Sequence, residues 1–130
     1  MDFPNDLKYS KTHEWVRLEA DNQAVIGITD YAQHELGDIV YIELPEDEDT
    51  IEKDGALGVI ESTKATEDIY SPLSGTVVEV NSPLLDSPEV INEDPYGDGW
   101  MIRIEMSDKS ELNELMTTEA YKKFVAGLSE

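Results

Sequence analysis

The chain has 130 residues, of which 39% are hydrophobic, so its length fits one domain with a buried core. Its 30 acidic and nine basic side chains give a formal net charge of −21, which argues against binding to nucleic acid or to an anionic membrane. Cysteine is absent, which excludes disulfides and thiolate chemistry. The acidic N-terminus predicts no signal peptide, and no apolar run approaches the roughly 20 residues of a membrane span. We therefore expect a cytoplasmic protein.

Short strands separated by turns are predicted from about Trp15 to Met106. In the segment 100–106, apolar side chains alternate with polar ones, as is typical of a half-buried strand. The same period of two predicts that Val40, Ile42 and Leu44 form the buried face of one further strand. It predicts the same for Val78 and Val80 in another. Many short strands with regular turns indicate a mainly β sandwich or barrel.

Helices are predicted at two places in this single domain, which spans residues 1–130. A short internal helix begins after a Thr29 N-cap and ends at Gly37. The C-terminal segment, about residues 110–128, follows a β core of about residues 8–106. Ser110 is predicted to cap a helix over residues 111–116, and Thr117 or Thr118 to cap the next one. The second of these helices carries an apolar stripe, Tyr121, Phe124, Val125 and Leu128, that favours a lid on the sheet.

Two segments of the sequence share a pattern. Residues 37–42 and 75–80 both follow the order Gly, polar, apolar, apolar, any, apolar. The repeat indicates a pseudo-symmetric β fold built from duplicated halves. Coincidence between two short apolar strands is the alternative, because such patterns recur easily.

Motifs for catalysis or metal binding are scarce, and no catalytic or metal-ligating residue is predicted. His13, Glu14 and His34 form a conceivable metal set, but their spacing matches no metal motif. Residues 94–105 partly imitate a calcium loop. Their second half is the predicted strand, whereas an EF-hand needs a helix on both sides, so we reject that interpretation.

A lysine stands in the acidic segment 61–68, Glu-Ser-Thr-Lys-Ala-Thr-Glu-Asp. Apolar segments flank it on both sides, so the sequence predicts a β-hairpin with Lys64 near an exposed tip. From the residues alone, Lys64 is either an ordinary surface lysine or the attachment point of a swinging prosthetic arm.

Several ordered blocks along the chain resemble one known family. They are residues 8–9, 12–16, 27–33, 36–45, 61–65, 68–75, 78–81 and 91–100. Together they make the chain similar to the H proteins of the glycine cleavage system, a family of lipoyl carriers. The family usually has Val where Thr63 stands, which is a mild exchange between β-branched residues.

The resemblance implies a set of site residues. Lys64 would carry lipoate as lipoyl-lysine, and Gly75 is the glycine that lipoyl domains place eleven residues later. Glu14, Asp68 and Thr12 would line a cleft that holds the aminomethyl group. A protonated amine in a partly desolvated cleft needs carboxylate and hydroxyl acceptors in place of water. Ordinary surface positions for Glu14 and Asp68 are the alternative.

The resemblance also implies a fold and partners. The fold would be a flattened antiparallel β-barrel or sandwich with C-terminal helices. The chain would shuttle an aminomethyl intermediate from a PLP-dependent glycine decarboxylase to a tetrahydrofolate-dependent aminomethyltransferase, and dihydrolipoyl dehydrogenase would reoxidise it. A lipoate-attaching ligase or transferase is a further implied partner. We expect a monomeric, covalently modified carrier and not an enzyme.

Three other functions remain open at this point. The chain could be an H-like lipoyl relay for other lipoate-dependent pathways. It could be a biotinyl carrier, although Thr63 and Ala65 stand where that class places Met residues. It could also be a β-sandwich binding module without lipoate. For a carrier, the strong negative charge has a further meaning, since it would speed encounter with larger enzymes without tight binding.

Overall fold

The computed structural model describes residues 1–128 and contains nine strands. They are β1 (Lys8–Tyr9), β2 (Glu14–Leu18), β3 (Gln23–Ile28), β4 (Ile39–Glu43), β5 (Thr50–Ile51), β6 (Ala56–Ser62), β7 (Thr66–Tyr70), β8 (Gly75–Val80) and β9 (Ile102–Met106). One sheet has the order β1-β2-β3-β9-β8-β5 and the other has the order β4-β6-β7. All neighbouring strands with recorded pairing are antiparallel, which confirms the predicted mainly β class.

Four α-helices and one 3₁₀ helix lie between or after the strands. They are α1 (Asp30–Leu36), α2 (Pro83–Asp86), α3 (Val90–Glu93), the 3₁₀ helix (Lys109–Glu114) and α4 (Thr118–Leu128). The longest of them, α4, has 11 residues. Within residues 1–128, no helix combines the length and the apolar character that crossing a bilayer requires.

The core has two parts. The larger one fills the space between the two sheets with aliphatic side chains such as Ile26, Ile42 and Ile60. The smaller one is aromatic and lies under α4, where the rings of Tyr9 and Tyr121 stack with centroids 4.5 Å apart. The predicted lid is confirmed for the first part of the apolar stripe of α4, whereas Leu128 is 50% exposed.

A bulge in β4 overturns the predicted alternation there. Val40 was expected on the buried face, and its side chain is 57% exposed. The pairing of β4 with β6 shifts between Ile39 and Tyr41, so Ile39 and Ile42 are the buried residues. The extra residue of a bulge reverses the faces of the positions around it, which a strict period of two does not anticipate.

The same irregularity occurs in β8. Its register with β9 shifts between Val77 and Glu79, and Val77 is fully buried while Val78 is only half-buried. In the sequence repeat, Val77 and Glu79 correspond to Ile39 and Tyr41. The two similar segments therefore share a bulge at equivalent positions in different sheets, which supports pseudo-symmetry over coincidence.

The helix ends confirm both predicted caps of α1 and correct the cap predicted at Ser110. The Thr29 hydroxyl accepts the Ala32 N–H at the start of α1, and Gly37 ends that helix, both as predicted. Ser110 does not cap a helix over residues 111–116. The Asp108 carboxylate accepts the Ser110 N–H at 3.0 Å instead, so a 3₁₀ helix begins one residue before Ser110. A carboxylate two residues upstream thus takes the capping role that the sequence assigned to the serine hydroxyl.

Candidate functional site

The predicted hairpin is present, and Lys64 lies at its tip. Strands β6 and β7 pair in antiparallel register, and the Ser62 N–H donates to the Ala65 carbonyl at 2.8 Å to close the turn. The Ser62 hydroxyl accepts the backbone N–H groups of both Lys64 and Ala65 at 3.1 Å. A serine side chain therefore orders a turn that has no Gly or Pro, and the exposed Lys64 side chain projects from an ordered backbone.

A second turn, which runs from Gly37 after α1 to Ile39 at the start of β4, supports the hairpin. The Thr63 N–H donates to the Asp38 carbonyl at 3.0 Å, which joins the two turns. Gly37 has a φ of +78° and no side chain, and a Cβ atom added there would lie 3.2 Å from Cε of Lys64. The glycine therefore leaves a shallow trough that the aliphatic part of Lys64 occupies.

The ε-amino group of Lys64 is available for chemistry. Within residues 1–128, the recorded ion pairs involve the cations of Lys53, Arg103 and Lys122. Lys64 takes part in none of them, although Glu61 and Glu67 lie on the same hairpin. An acyl group on this nitrogen would therefore break no ion pair of the described structure.

Glu14 was predicted as a cleft residue, and the structure shows it to be 2% exposed. One carboxylate oxygen, Oε1, accepts hydrogen bonds from Ser10 Oγ at 2.7 Å and from Thr12 Oγ1 at 2.5 Å. Burial raises the pKa of Glu14 to about 7, and these hydroxyls, together with the backbone N–H of Tyr70, oppose that rise. Glu14 is thus a buried carboxyl group near its midpoint of ionisation at neutral pH, and its surroundings stabilise the anion only in part.

Thr12, Glu14 and Asp68 do not form one contact group. Thr12 and Glu14 are hydrogen-bonded, whereas Asp68 is exposed on β7, two residues before Tyr70. In the described part of the chain, no hydrogen bond joins Asp68 to either of them. Strand β7 runs from the Lys64 turn to the Glu14 carboxyl group and spans about 13 Å at 3.3 Å per residue. The same strand therefore connects the lysine and the buried acid.

A cleft of about 270 Å³ opens beside Thr12. Its lining residues are Ser10, Lys11, Thr12, Lys53, Asp54, Pro72, Glu114 and Leu115.

Ser10 and the Tyr70 amide, which contact Glu14, were not predicted as site residues. The position of Ser10 four residues before Glu14 is a weak signal, and the role of Tyr70 depends on the packing of two sheets.

His13 has a partner other than a metal. Its Nδ1 lies 2.9 Å from the Tyr121 hydroxyl, and burial lowers its pKa. His34 is exposed near the end of α1. Among the described residues, no group of three His, Asp or Glu side chains could hold a metal ion.

Two antiparallel sheets that present a lysine at a hairpin tip are the arrangement of a carrier domain of the lipoyl and biotinyl type. A sequence profile described as "Glycine cleavage H-protein" matches residues 7–127. The chain belongs to the glycine cleavage H-protein family.

Individual relatives agree with this assignment. The chain is 54% identical over 125 residues to the glycine cleavage system H protein of Anaeromyxobacter sp., covering 96% of this chain and 97% of that one. It is 50% identical to the protein of the same name from Marinobacter nauticus, with 96% of each chain covered. A crystal structure of a glycine cleavage system H protein from Mycobacterium marinum superposes with a TM-score of 0.84 at 36% identity, covering 91% of this chain and 94% of the other.

Proposed function

We propose that this protein is the lipoyl-carrying protein of a glycine cleavage system and that lipoate is attached to Lys64 in amide linkage. Membership of the H-protein family supports the assignment of this chain to a glycine cleavage system. The observation that carries the assignment to Lys64 is its place at an ordered, exposed hairpin tip, with a side chain outside the recorded ion pairs of residues 1–128. An attaching enzyme can reach such a lysine without unfolding either sheet.

The residues around Lys64 accommodate its aliphatic chain and order the turn that carries it. The trough over Gly37 accepts the methylene groups of the lysine, and a side chain at position 37 would fill it. When attached, lipoate supplies the sulfur atoms that take up a one-carbon unit and electrons from glycine, chemistry for which a chain without cysteine has no sulfur nucleophile of its own. The chain supplies the positioning: Ser62 orders the turn, and the bond between Thr63 and Asp38 fixes its direction.

Glu14 and Thr12 are proposed as the part of the chain that receives a protonated amine at the far end of the arm. A carboxyl group with a pKa of about 7 can lose its proton when a cation approaches, because the cation favours the anionic form. The resulting pair would be strong, since burial excludes competing water. Asp68, exposed on the strand between Lys64 and this site, is proposed as a second acceptor.

The proposed partners follow from the cycle that such a carrier serves. A lipoate ligase or transferase would modify Lys64, and the decarboxylase, the aminomethyltransferase and dihydrolipoyl dehydrogenase would then act on the arm in turn. The chain would be the shared substrate of these enzymes and would catalyse none of the steps itself.

A reconstituted glycine cleavage assay tests the proposal. Wild type, Lys64→Arg and Lys122→Arg are each treated with a lipoate ligase and then combined with the three enzymes. Lys122 is an exposed lysine on α4 and provides the matched control. We expect glycine decarboxylation with wild type and with Lys122→Arg, and none with Lys64→Arg, because arginine does not form the lipoyl amide. Full activity of the Lys64→Arg protein would contradict the proposal.

A further inference from the structure

We infer that Asn92, on the short helix α3, is a positioning residue for the lysine-bearing hairpin. Its half-buried side chain makes three hydrogen bonds, and all three reach the segment from α1 to β4. Oδ1 accepts the Ile39 N–H at 2.9 Å. Nδ2 donates to the Gly37 carbonyl at 2.9 Å and to Gln33 Oε1 at 3.0 Å. The amide thus clamps the turn of residues 37–39 from both sides.

This clamped turn is the one that contacts the hairpin. Gly37 lies against the Lys64 side chain, and the Asp38 carbonyl accepts the Thr63 N–H. Asn92 touches neither Thr63 nor Lys64 in any recorded hydrogen bond of residues 1–128, so it acts through the turn. Two successive hydrogen-bonded steps, from Asn92 to the turn and from the Asp38 carbonyl to the Thr63 N–H, therefore connect Asn92 to the backbone of the residue before the lysine.

The helix that carries Asn92 is well anchored. Ile91 is fully buried in the main core, and the Gly99 N–H donates to the Asp94 carbonyl at 2.8 Å just after α3. A side chain held by the core can transmit order to an exposed turn, whereas the two residues between Ser62 and Ala65 have little packing of their own. Asn92 therefore fixes the position of the exposed hairpin tip relative to the core.

A consequence for function follows, and it rests on the proposed role of Lys64. An enzyme that modifies or reads one lysine on a hairpin needs that lysine in a defined position, and a flexible tip must be ordered at the moment of binding. Loss of the Asn92 clamp would therefore lower the efficiency of lipoyl attachment. We expect a decrease of about tenfold in kcat/KM, which corresponds to the loss of about one or two net hydrogen bonds.

The test compares Asn92→Ala with Asn81→Ala. Asn81 is buried, and its Nδ2 donates to the carbonyls of Asp98 and Trp100, away from the hairpin. Both variants lose stability, so the pair separates positioning from a general loss of folding. Asn92→Asp is a third variant: it keeps the acceptor for Ile39, loses both donated bonds and places a carboxylate oxygen against the Gly37 carbonyl.

Two quantities are measured for each variant. The first is hydrogen exchange of the Thr63 amide in the unmodified protein, with the Ser62 amide, whose partner lies inside the hairpin, as internal reference. The second is kcat/KM for attachment of lipoate by a ligase. We expect about tenfold faster exchange at Thr63 and about tenfold lower kcat/KM in Asn92→Ala, changes at least as large in Asn92→Asp, and values near wild type in Asn81→Ala.

Two results would overturn the inference. One is equal exchange at Thr63 in Asn92→Ala and Asn81→Ala, which would mean that Asn92 does not order the hairpin. The other is faster exchange with unchanged attachment, which would mean that this order does not matter to the enzyme. If wild type itself takes up no lipoate, the proposed function fails, while the exchange measurement still decides whether the clamp exists.

Discussion

The side chain of Lys64 lies against Gly37, and its Cε is 3.2 Å from the point that a Cβ atom at position 37 would occupy. Gly37 also has φ +78° and ψ −157°, a region of backbone conformation that is essentially limited to glycine. One residue therefore ends α1, turns the chain into β4 and leaves room for the lysine.

A Gly37→Ala substitution is expected to destabilise the protein by about 1–3 kcal/mol, because the backbone conformation is strained for any residue with a Cβ atom. The added methyl group also displaces the Lys64 side chain. Gly127→Ala is the control, since nothing lies within 4 Å of a Cβ atom added there and alanine favours the helix. Urea unfolding measures the free energy of unfolding of both variants. Equal values would show that the fold does not require glycine at position 37.

The buried Glu14 carboxyl group makes stability depend on pH. Its pKa is about 4.5 in the unfolded chain and rises to about 7 in the folded protein, where it is buried. The folded state therefore holds the proton more tightly, and this contribution to stability is complete below about pH 4.5 and is lost as the pH rises to about 7. A shift of this size corresponds to about 3 kcal/mol.

A Glu14→Gln substitution removes this titration and keeps an acceptor for Ser10 and Thr12. We expect wild type to lose about 3 kcal/mol relative to Glu14→Gln between about pH 4 and about pH 8. Urea unfolding across this range provides the measurement, with the exposed Glu89→Gln as control for general charge effects. Parallel curves for wild type and Glu14→Gln would contradict the assignment of a raised pKa.

The hydroxyl of Tyr121 connects α4 to the loop before Glu14. It lies 2.9 Å from His13 Nδ1 and 2.7 Å from Thr29 Oγ1, and the residue is fully buried. Tyr121→Phe removes the hydroxyl that both groups contact, although Thr29 Oγ1 keeps its bond from the Ala32 N–H, and we expect a loss of about 1–3 kcal/mol.

Tyr41→Phe is the matched control for this change. The Tyr41 ring is 45% exposed, and its hydroxyl donates only to the exposed Glu43 among the described partners. Its removal should change stability by less than about 0.5 kcal/mol. Urea midpoints compare the two variants, and similar midpoints would mean that the His13–Tyr121–Thr29 contacts contribute little.

The net charge of −21 leads to a prediction about partner encounter. If the negative field steers the protein to basic surfaces, association with the decarboxylase proposed as its partner should slow by about tenfold or more as salt rises from low to high concentration. The double variant Glu61→Gln/Glu67→Gln removes the two acids of the hairpin. It should slow association more than the control Asp86→Asn/Glu89→Gln, which removes two acids elsewhere. Stopped-flow rates at several salt concentrations give the comparison, and rates independent of salt would exclude steering.

Local signals allowed much of the fold to be predicted. The caps of α1 depend on Thr29 and Gly37, which are adjacent in sequence to the helix they bound. The hairpin around Lys64 follows from two apolar segments separated by a polar one. Such features need only a few neighbouring residues, so a single sequence contains the required information.

Other features depend on residues that are distant in sequence. The bulge that exposes Val40 is defined by the pairing of β4 with β6, and period alone cannot place it. The raised pKa of Glu14 is caused by its burial between the sheets, and the Tyr70 amide from the other sheet offsets part of the rise. The role of Asn92 requires the contact between α3 and the turn before β4. The resemblance predicted Glu14 as a site residue, but only the packing shows its burial and its partners.

The most direct test of the central claim is the mass of the intact protein after coexpression with a lipoate ligase in the presence of lipoate, followed by a peptide map. We predict one lipoyl group per chain, located on the peptide that contains Lys64, and an unmodified Lys64→Arg protein. An unmodified wild-type protein, or a lipoyl group on another lysine, would contradict the claim.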